Sequence, residues 1–397
     1  MAATKKRVLE SGADQWRVSY YDDNGKRHRP CFGTYAEAED FRKEIENQLK
    51  TNTYRASSFK MTVEDLSDVF LVYCEARMKA GRRMSRKNFV IYRGHFKNYI
   101  LDPDLGVGST KLSRLPTSAV CEFRDRLLQT GVSISSTRKI LATLRSALSY
   151  AKNEKNWIAV NPAMGVEVIG TADEGPKKRK TPTKDQLKTV LAFATDDLKL
   201  KIMFAAFTGL RASEQWGLKW EQVNLDAGLV HVVSRLDSYG SLGPTKSKAG
   251  VRDVPLSAPM VRLLKEHRLG SPYSEDDNFV FTNAKGRHTS HDNLVKRSYI
   301  PLLERSEKAA KLGIGQWTPN GVDEDGETNL KFVASFKWHS LRHFAVSTWI
   351  EQGLAPKTVQ TYAGHSSIVI TLDRYGHLFE SDDHKTAMDR IADELMS

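Results

Sequence analysis

The sequence predicts a multidomain, mainly helical protein that carries a small β-sheet near its N-terminus and a β-hairpin in its C-terminal half. The chain has 397 residues, more than one ordinary hydrophobic core accommodates, so two or three folded units are expected. Apolar residues alternate near the N-terminus, as they do in strands, and recur at helical spacing through most of the remaining chain. A Gly-rich turn between two short strand-like runs interrupts the later helical pattern and predicts the hairpin.

The first segment, residues 1–58, is predicted to form a small sheet with one helix. Its strand is indicated by apolar residues two positions apart: Trp16, Val18 and Tyr20. Asn24-Gly25 is typical of the tight turn of a hairpin. Thr34 and Glu37 have the spacing of a capping box and predict the start of a helix.

Residues 61–168 are predicted to be wholly helical, with one helix beginning at Thr62 and another ending at Gly131. The last helix of this segment has an apolar stripe and an opposite, basic side, whose candidate DNA contacts are Arg138, Lys139, Arg145 and Lys152. Residues 61–170 carry 17 basic and 10 acidic side chains, whereas residues 171–397 carry 31 and 29. A solvated surface would also explain basic residues, but a local excess fits a phosphate-binding face better.

Residues 169–182 have the Gly, Pro and charge content of a linker between domains. Their basic run consists of Lys177, Lys178, Arg179 and Lys180. It could be read as a nuclear import signal, but short basic runs arise often by chance, so we interpret it as a linker that follows a phosphate backbone. The final segment, residues 183–397, is predicted to be helical apart from a hairpin formed by residues 229–235 and 251–255.

The composition excludes several classes of protein. Sixty Lys and Arg against 48 Asp and Glu give a formal charge of +12, which favours a polyanionic partner such as nucleic acid. No apolar run approaches the roughly 20 residues that span a bilayer, and the N-terminus lacks the apolar part of a secretory signal, so a cytoplasmic protein is expected. Cys31, Cys74 and Cys121 lie far apart and are expected to be reduced, buried thiols. His288 and His291 lack obvious partners for a metal and are interpreted as surface residues.

Four short stretches of the final segment place polar side chains beside well-formed apolar elements. "FTGLRASEQWGL" contains Arg211 and, three residues later, Glu214, which a helix places on one face. "GPTKSKAGVRDVP" places Lys246 and Lys248 at the tip of the predicted hairpin, two apart and therefore expected on the same face of a strand. "WHSLRHFAVSTWI" and "AGHSSIVITLDRYGHL" contribute the rest of the set: His339, Arg342, His365 and Tyr375.

Taken together and in this order, the stretches resemble the tyrosine recombinase, or phage integrase, family. The family pattern is an Arg in a "TGLR-x-x-E" box, a Lys on a β-hairpin, "H-x-L-R-H", "G-H" and a Tyr near "Y-x-H". The resemblance covers about residues 175–385. It implies the α-rich catalytic fold of that family for residues 183–397, with catalytic Arg211, Lys246, His339, Arg342, His365 and Tyr375 and an orienting Glu214.

The chemistry of a DNA phosphodiester agrees with this resemblance. An anionic phosphodiester repels nucleophiles, and Arg211 and Arg342 are forked donors suited to its non-bridging oxygens. A free phenol has a pKa of about 10, so the Tyr nucleophile needs help to lose its proton, and the family assigns His339 and His365 to proton transfer and phosphate binding. A Lys would protonate the leaving 5′-oxygen; the family's "P-K-T" position favours Lys246, with Lys248 as the alternative. The product is a 3′-phosphotyrosine, formed without ATP, metal or other cofactor.

The resemblance also implies roles for the other segments. Residues 61–168 are similar to a core-binding domain and residues 1–58 to an arm-binding module, so the expected partner is double-stranded DNA with core-type and arm-type sites. A C-terminal tail helix is expected to dock on a neighbouring subunit in a homotetramer, with self-docking as the alternative. An accessory DNA-bending or excision factor and a nucleoid location in a bacterial host also follow. The acidic, Gly-rich residues 306–336 depart from the family pattern and are interpreted as a surface insertion.

Other functions remain as alternatives. A type IB topoisomerase shares the Tyr and Arg set but relaxes DNA without a partner subunit, and a three-part chain favours integration of a phage or other mobile element over it. A non-catalytic DNA-binding regulator would not need the complete reactive set. The activity of a metal-dependent nuclease would be abolished by a chelator.

Overall fold

The computed structural model describes residues 2–8, 14–22, 25–82, 84–170, 180–322, 328–379 and 384–396. The chain forms two compact units, Met1–Pro176 and Lys177–Ser397. The mainly helical class with small sheets is confirmed. Across the described ranges, none of the helices combines the length and the apolar character needed to cross a bilayer.

The first unit begins with a sheet whose central strand is β2. The strands are β1 (Ala3–Val8), β2 (Asp14–Tyr21), β3 (Arg27–His28) and β4 (Cys31–Phe32). β2 pairs with the other three in antiparallel fashion, and β1 was not anticipated, since its Lys-Lys-Arg run lacks apolar alternation. Helix α1 (Tyr35–Lys50) starts with the predicted capping box between Thr34 and Glu37. Asn24 of the predicted turn lies outside the described residues, whereas Gly25 has a φ of +75°.

The rest of the first unit is helical around its own core. Its helices are α2 (Val63–Lys79), α3 (Arg86–His95), α4 (Thr117–Gln129) and α5 (Ile134–Asn153). Thr62 caps α2, and Gly131 follows the end of α4 with a φ of +81°, as expected. The stripe predicted on α5 is fully buried and consists of Ile140, Leu144, Ala147, Leu148 and Ala151. Free Cys74 lies in this core, but the expectation that all three thiols are buried was wrong: Cys31 is exposed and Cys121 half-buried.

The second unit has one large core and a smaller apolar cluster, which joins the end of one helix to the two helices that follow it. Its helices are α6 (Lys184–Ala192), α7 (Asp196–Thr208), α8 (Ala212–Gln215), α9 (Ala258–Gly270), α10 (His291–Leu294), α11 (Ile300–Ala310), α12 (His339–Glu351), α13 (Pro356–Ala363), α14 (Ile368–Tyr375) and α15 (His384–Met396). Helices α7 and α12 pack against each other. Leu341 of α12 and Phe204 of α7 are fully buried in the core.

The predicted hairpin is present but built differently. The strands of this region are β5 (Val223–Asn224), β6 (Leu229–Val232), β7 (Ser234–Leu236), β8 (Leu242–Pro244) and β9 (Arg252–Pro255). β6 pairs with β9 in antiparallel register, Leu229 facing Pro255, while β7 and β8 form a separate ribbon. Lys246 and Lys248 therefore lie in the loop from β8 to β9 rather than on a strand.

Residues 306–336 are more than a surface insertion. They continue α11 and then form a ribbon of β10 (Gly315–Val322) and β11 (Thr328–Ala334) with a register shift between Pro319 and Val322. The base of the ribbon is buried: Ile314, Phe332 and Phe336 belong to the core of the second unit. The Gly and acidic residues obscured the strand alternation in the sequence, so the interpretation as a surface insertion was wrong for its base.

Candidate active site

Arg211 is placed by a tight chain reversal after α7. Gly209 ends α7 in the left-handed region with a φ of +59°, and Arg211 then occupies the N-cap position of α8. Its Nη1 donates to Glu214 Oε1 at 2.7 Å, and its Nη2 donates to the carbonyl of Gly364 at 2.8 Å. The half-buried guanidinium is thus held in one orientation from two sides.

Glu214 is a buried carboxylate between two arginines. It accepts hydrogen bonds from the backbone N–H of Arg211 at 2.9 Å and from Arg252 Nη2 at 2.9 Å, besides the Arg211 Nη1 bond. Burial raises the pKa of Glu214, but the charges and hydrogen bonds of Arg252 and Arg211 outweigh it and lower the pKa to about 2. The carboxylate is therefore ionised at neutral pH and fixes both guanidinium groups.

Arg252 was missed by the sequence analysis. Its side chain is 2% exposed and also donates to the carbonyls of Tyr362, at 2.7 Å, and Gly250, at 2.9 Å. These bonds connect the end of the loop that carries Lys246 and Lys248 to Glu214 and to the C-terminal end of α13. The sequence "VRDVP" could have indicated Arg252, because a charged residue in a strand that packs on a core requires a partner.

Arg342 lies on the first turn of α12 and is 5% exposed. Its Nη1 donates to the carbonyl of Gly209 at 2.6 Å, and its Nη2 donates to the carbonyl of Ala363. Burial and then repulsion from Arg211 lower the pKa of Arg342, although it stays charged at neutral pH. Because Ala363 and Gly364 are consecutive, Arg342 and Arg211 converge on one short segment, where an anion would relieve their repulsion.

His365 follows that segment directly. Gly364 ends α13 with a φ of +61°, and His365 Nδ1 is hydrogen-bonded to Thr371 Oγ1 at 2.9 Å. Burial, followed by the charges of Arg342 and Arg211, lowers the pKa of His365 to about 3. The imidazole is therefore neutral at physiological pH and keeps Nε2 for a further hydrogen bond.

Tyr375 ends α14 inside the protein. The residue is 6% exposed and packs with the apolar side chains of Val346, Ile350 and Val359. Its hydroxyl is hydrogen-bonded to Nδ1 of His343, which was not singled out in the sequence although it lies four residues after His339 and hence on the same helix face. His339 itself is exposed, with its ring perpendicular to that of His343 at 5.0 Å.

Lys246 and Lys248 are both exposed, and no hydrogen bond places either of them beside Tyr375. Lys248 begins a short 3₁₀ turn, Lys248–Gly250, so the expectation that the two lysines share one face of a strand was wrong. Their loop is anchored at its far end by Arg252. The other five predicted residues and Glu214 lie on elements that meet around Gly364.

The predicted DNA contacts of α5 fall into two groups. Arg138 donates to the carbonyl of Val168 at 2.9 Å, and Arg145 donates to those of Ala163 and Val166, so both stabilise the segment after α5. Lys139 and Lys152 are exposed, as is Lys180 in the linker. Lys177, Lys178 and Arg179 lie outside the described residues.

The histidines considered for a metal have other surroundings. His291 is half-buried and accepts a hydrogen bond from Trp216 Nε1 at 3.2 Å, so its interpretation as a surface residue was wrong. Burial lowers the pKa of its imidazole. In the part of the chain that the structure describes, no group of three His, Cys, Asp or Glu side chains is arranged to hold a metal ion.

Comparison with known proteins gives a consistent result. The model of the phage integrase family matches residues 180–382, slightly more than half of the chain. A tyrosine recombinase XerC-like protein of Caldanaerobacter subterraneus subsp. tengcongensis is 28% identical over 410 residues, covering 95% of each chain. The Tn1549 transposon integrase in complex with a circular intermediate DNA is similar in structure, with a TM-score of 0.63, 19% identity and coverage of 83% of this chain and 99% of that one. A λ integrase tetramer bound to a Holliday junction has a TM-score of 0.53 and 16% identity, covering 96% and 95%. None of these likenesses supports the topoisomerase alternative.

Proposed function

Because the chain belongs to the phage integrase family of tyrosine recombinases, site-specific enzymes that cleave and rejoin DNA, we propose that Tyr375 is its nucleophile and that DNA is held as a 3′-phosphotyrosine on this residue. The observation that carries the proposal is the convergence of Arg211 and Arg342 on the consecutive carbonyls of Gly364 and Ala363. The same segment leads through His365 to the helix that ends at Tyr375. An anion-binding set and a nucleophile are thereby joined by one short piece of chain.

Each residue has a distinct part in the proposed cleavage. Oη of Tyr375 attacks phosphorus, the bond from phosphorus to the 5′-oxygen breaks, and the phenol proton is lost to a base. Arg211 and Arg342 stabilise the added negative charge, and the neutral His365 donates a hydrogen bond to a phosphate oxygen. We assign to His339, which is exposed, a contact with the bound duplex, and to Glu214 the orientation of Arg211. Lys246 protonates the 5′-oxygen, a task for which an exposed loop can bring it to the DNA.

We further propose that residues 61–168 bind core-type DNA and residues 1–58 bind arm-type DNA. The excess of basic residues in the helical segment and exposed Lys139 and Lys152 support the first assignment. The linker residues 169–182 would follow the phosphate backbone between the domains. Similarity to a transposon integrase and to λ integrase supports the integration of a mobile element as the biological task, with accessory DNA-bending or excision proteins as further proposed partners.

A homotetramer on DNA is the proposed working assembly. The similar λ integrase structure is a tetramer on a Holliday junction. On α15 the predicted apolar positions Met388, Ile391 and Leu395 are exposed by 66%, 51% and 81%, which favours docking on a second subunit over self-docking. Crosslinking of the DNA-bound protein should give tetramers, and replacing Ile391 and Leu395 with Ser should reduce them to smaller species.

The nucleophile is tested by trapping the covalent intermediate. The DNA site is first selected from random duplexes with the Tyr375→Phe protein, and a nicked version is then incubated with the wild-type chain in EDTA. We expect a covalent protein–DNA adduct from the wild type and from a Tyr362→Phe control, and no adduct from Tyr375→Phe. An adduct in the Tyr375→Phe protein, or loss of the adduct on chelation, would overturn the proposal.

A further inference from the structure

His343 contacts the proposed nucleophile, and neither the motif roles nor the proposed mechanism uses it. It lies in α12 directly after Arg342 and is 6% exposed. Its Nδ1 is hydrogen-bonded to the hydroxyl of Tyr375, 32 residues later in the chain. The two rings lie 5.9 Å apart, centre to centre. A titratable side chain is thus in direct contact with the atom that must lose a proton.

The other two histidines are less well placed for this proton. The Nδ1 of His365 is hydrogen-bonded to Thr371 Oγ1. The charges of Arg342, Arg211, Arg374 and Arg252 oppose a positive charge on its ring. His339 is exposed at the start of α12. It suits contact with a DNA phosphate rather than with a buried phenol.

We propose that His343 is the general base of strand cleavage, a conclusion that rests on the proposed role of Tyr375. With the proton of the neutral imidazole on Nε2, the Nδ1 lone pair accepts the hydroxyl hydrogen bond of Tyr375. As the bond from Oη to phosphorus forms, the phenol proton moves to Nδ1 while Lys246 protonates the departing 5′-oxygen. Religation reverses both transfers, because the imidazolium returns its proton to the departing phenolate and Lys246 takes the proton of the attacking 5′-hydroxyl.

The burial of Tyr375 gives this contact a second function. The ring packs among Val346, Ile350, Val359 and Ala363, so the phenol is stored in the site of its own subunit. A buried hydroxyl needs a polar partner, and His343 supplies it. A purely structural role for His343 would rest on this requirement alone, and the experiment below separates the two roles.

The test compares two reactions of the same site, cleavage and a joining reaction that bypasses the tyrosine. Cleavage is measured as single-turnover adduct formation on the nicked site. Joining is measured in the Tyr375→Phe background, so that the nucleophilic tyrosine takes no part. The 5′-hydroxyl of one strand attacks the 3′-p-nitrophenyl phosphate of another, and p-nitrophenolate leaves without needing a proton. His343→Asn keeps an acceptor at the Nδ1 position but cannot take up a proton.

We expect His343→Asn to slow cleavage by about 10²- to 10³-fold, within the range of general-base contributions, and to change joining by less than about threefold. Arg342→Lys is the matched control and should slow both reactions. Cleavage by His343→Asn within about threefold of the wild type would overturn the proposal. Equal loss of both reactions in His343→Asn would assign His343 a structural role and overturn the proposal as well. Failure of the Tyr375 assignment is recognised separately, by an adduct in the Tyr375→Phe protein.

Discussion

Replacing Glu214 with Gln should destabilise the second unit strongly, because it removes a carboxylate that is bonded to the guanidinium groups of Arg211 and Arg252. The side chains of Glu214 and Arg252 are each 2% exposed, so the remaining Arg252 charge would be buried and unpaired. Breaking a buried ion pair in this way typically costs about 3–5 kcal/mol. The lowering of the Glu214 pKa from 4.5 to about 2 corresponds to about 3 kcal/mol, in agreement with that range. We expect Glu214→Gln to lower the free energy of unfolding by about 3 kcal/mol.

The measurement is unfolding of the full chain in guanidinium chloride, followed by tryptophan fluorescence. Five of the seven tryptophans, Trp216, Trp220, Trp317, Trp338 and Trp349, lie in the second unit and report on it. Glu351→Gln is the matched control, since it breaks the exposed pair of Lys184 and Glu351 at 2.8 Å and should cost less than about 1 kcal/mol.

A double variant tests whether the cost arises from the unpaired charge. Glu214→Gln combined with Arg252→Met removes both buried charges, and the sum of the single effects should exceed the double effect by about 1–3 kcal/mol. A free energy of unfolding of Glu214→Gln within about 1 kcal/mol of the wild-type value, or additive effects of the two changes, would show that the buried pair does not stabilise the second unit.

Three further predictions concern His365, Gly364 and the two lysines of the loop from β8 to β9. The neutral His365 contributes stability that is fully present above its unfolded pKa of 6.5 and is lost as the pH falls towards its folded pKa of about 3. Between high pH and pH 5, the free energy of unfolding should therefore fall by about 2 kcal/mol more in the wild type than in His365→Asn. Parallel pH profiles of the two unfolding free energies would contradict this. Gly364→Ala should lower the melting temperature more than Gly353→Ala does. Both glycines have a positive φ, but only at Gly364 would a Cβ lie 2.9 Å from Arg252 Nη1. Equal melting temperatures of the two variants would refute this close approach. Lys246→Ala should cleave slowly and be rescued by a 5′-phosphorothiolate leaving group, whereas rescue of Lys248→Ala alone would transfer the role to Lys248.

The sequence predicted the fold class and most of the site because each rests on a local pattern. The capping box at Thr34, the helix start at Thr62 and the stripe on α5 were visible as spacing. The observed burial of the stripe follows from that spacing. The spacing of Arg211 and Glu214 likewise placed them in contact. Patterns of this kind are satisfied within one turn or one helix, so they require no knowledge of the tertiary structure.

The missed residues depend on contacts between distant segments. Arg252 bonds to Glu214, 38 residues away, and His343 bonds to Tyr375, 32 residues away, and neither partner is marked by spacing. The strand assigned to Lys246 and Lys248 was wrong because β6 pairs with β9, which leaves the lysines in a connecting loop. The bonds that Arg138 and Arg145 make to the segment after α5 were likewise hidden, since a basic helix face looks the same whether it binds DNA or its own chain.

The proposed cleavage requires that DNA becomes attached to Tyr375 and to no other residue. The adduct formed on the nicked site is digested with trypsin and nuclease, and the peptide that retains a nucleotide is sequenced by mass spectrometry. We expect the modification on Tyr375, in the peptide that follows Arg374. A nucleotide on any other residue, such as Tyr362, or a wild-type protein that cleaves the site without forming an adduct, would contradict the assignment of Tyr375 as the nucleophile.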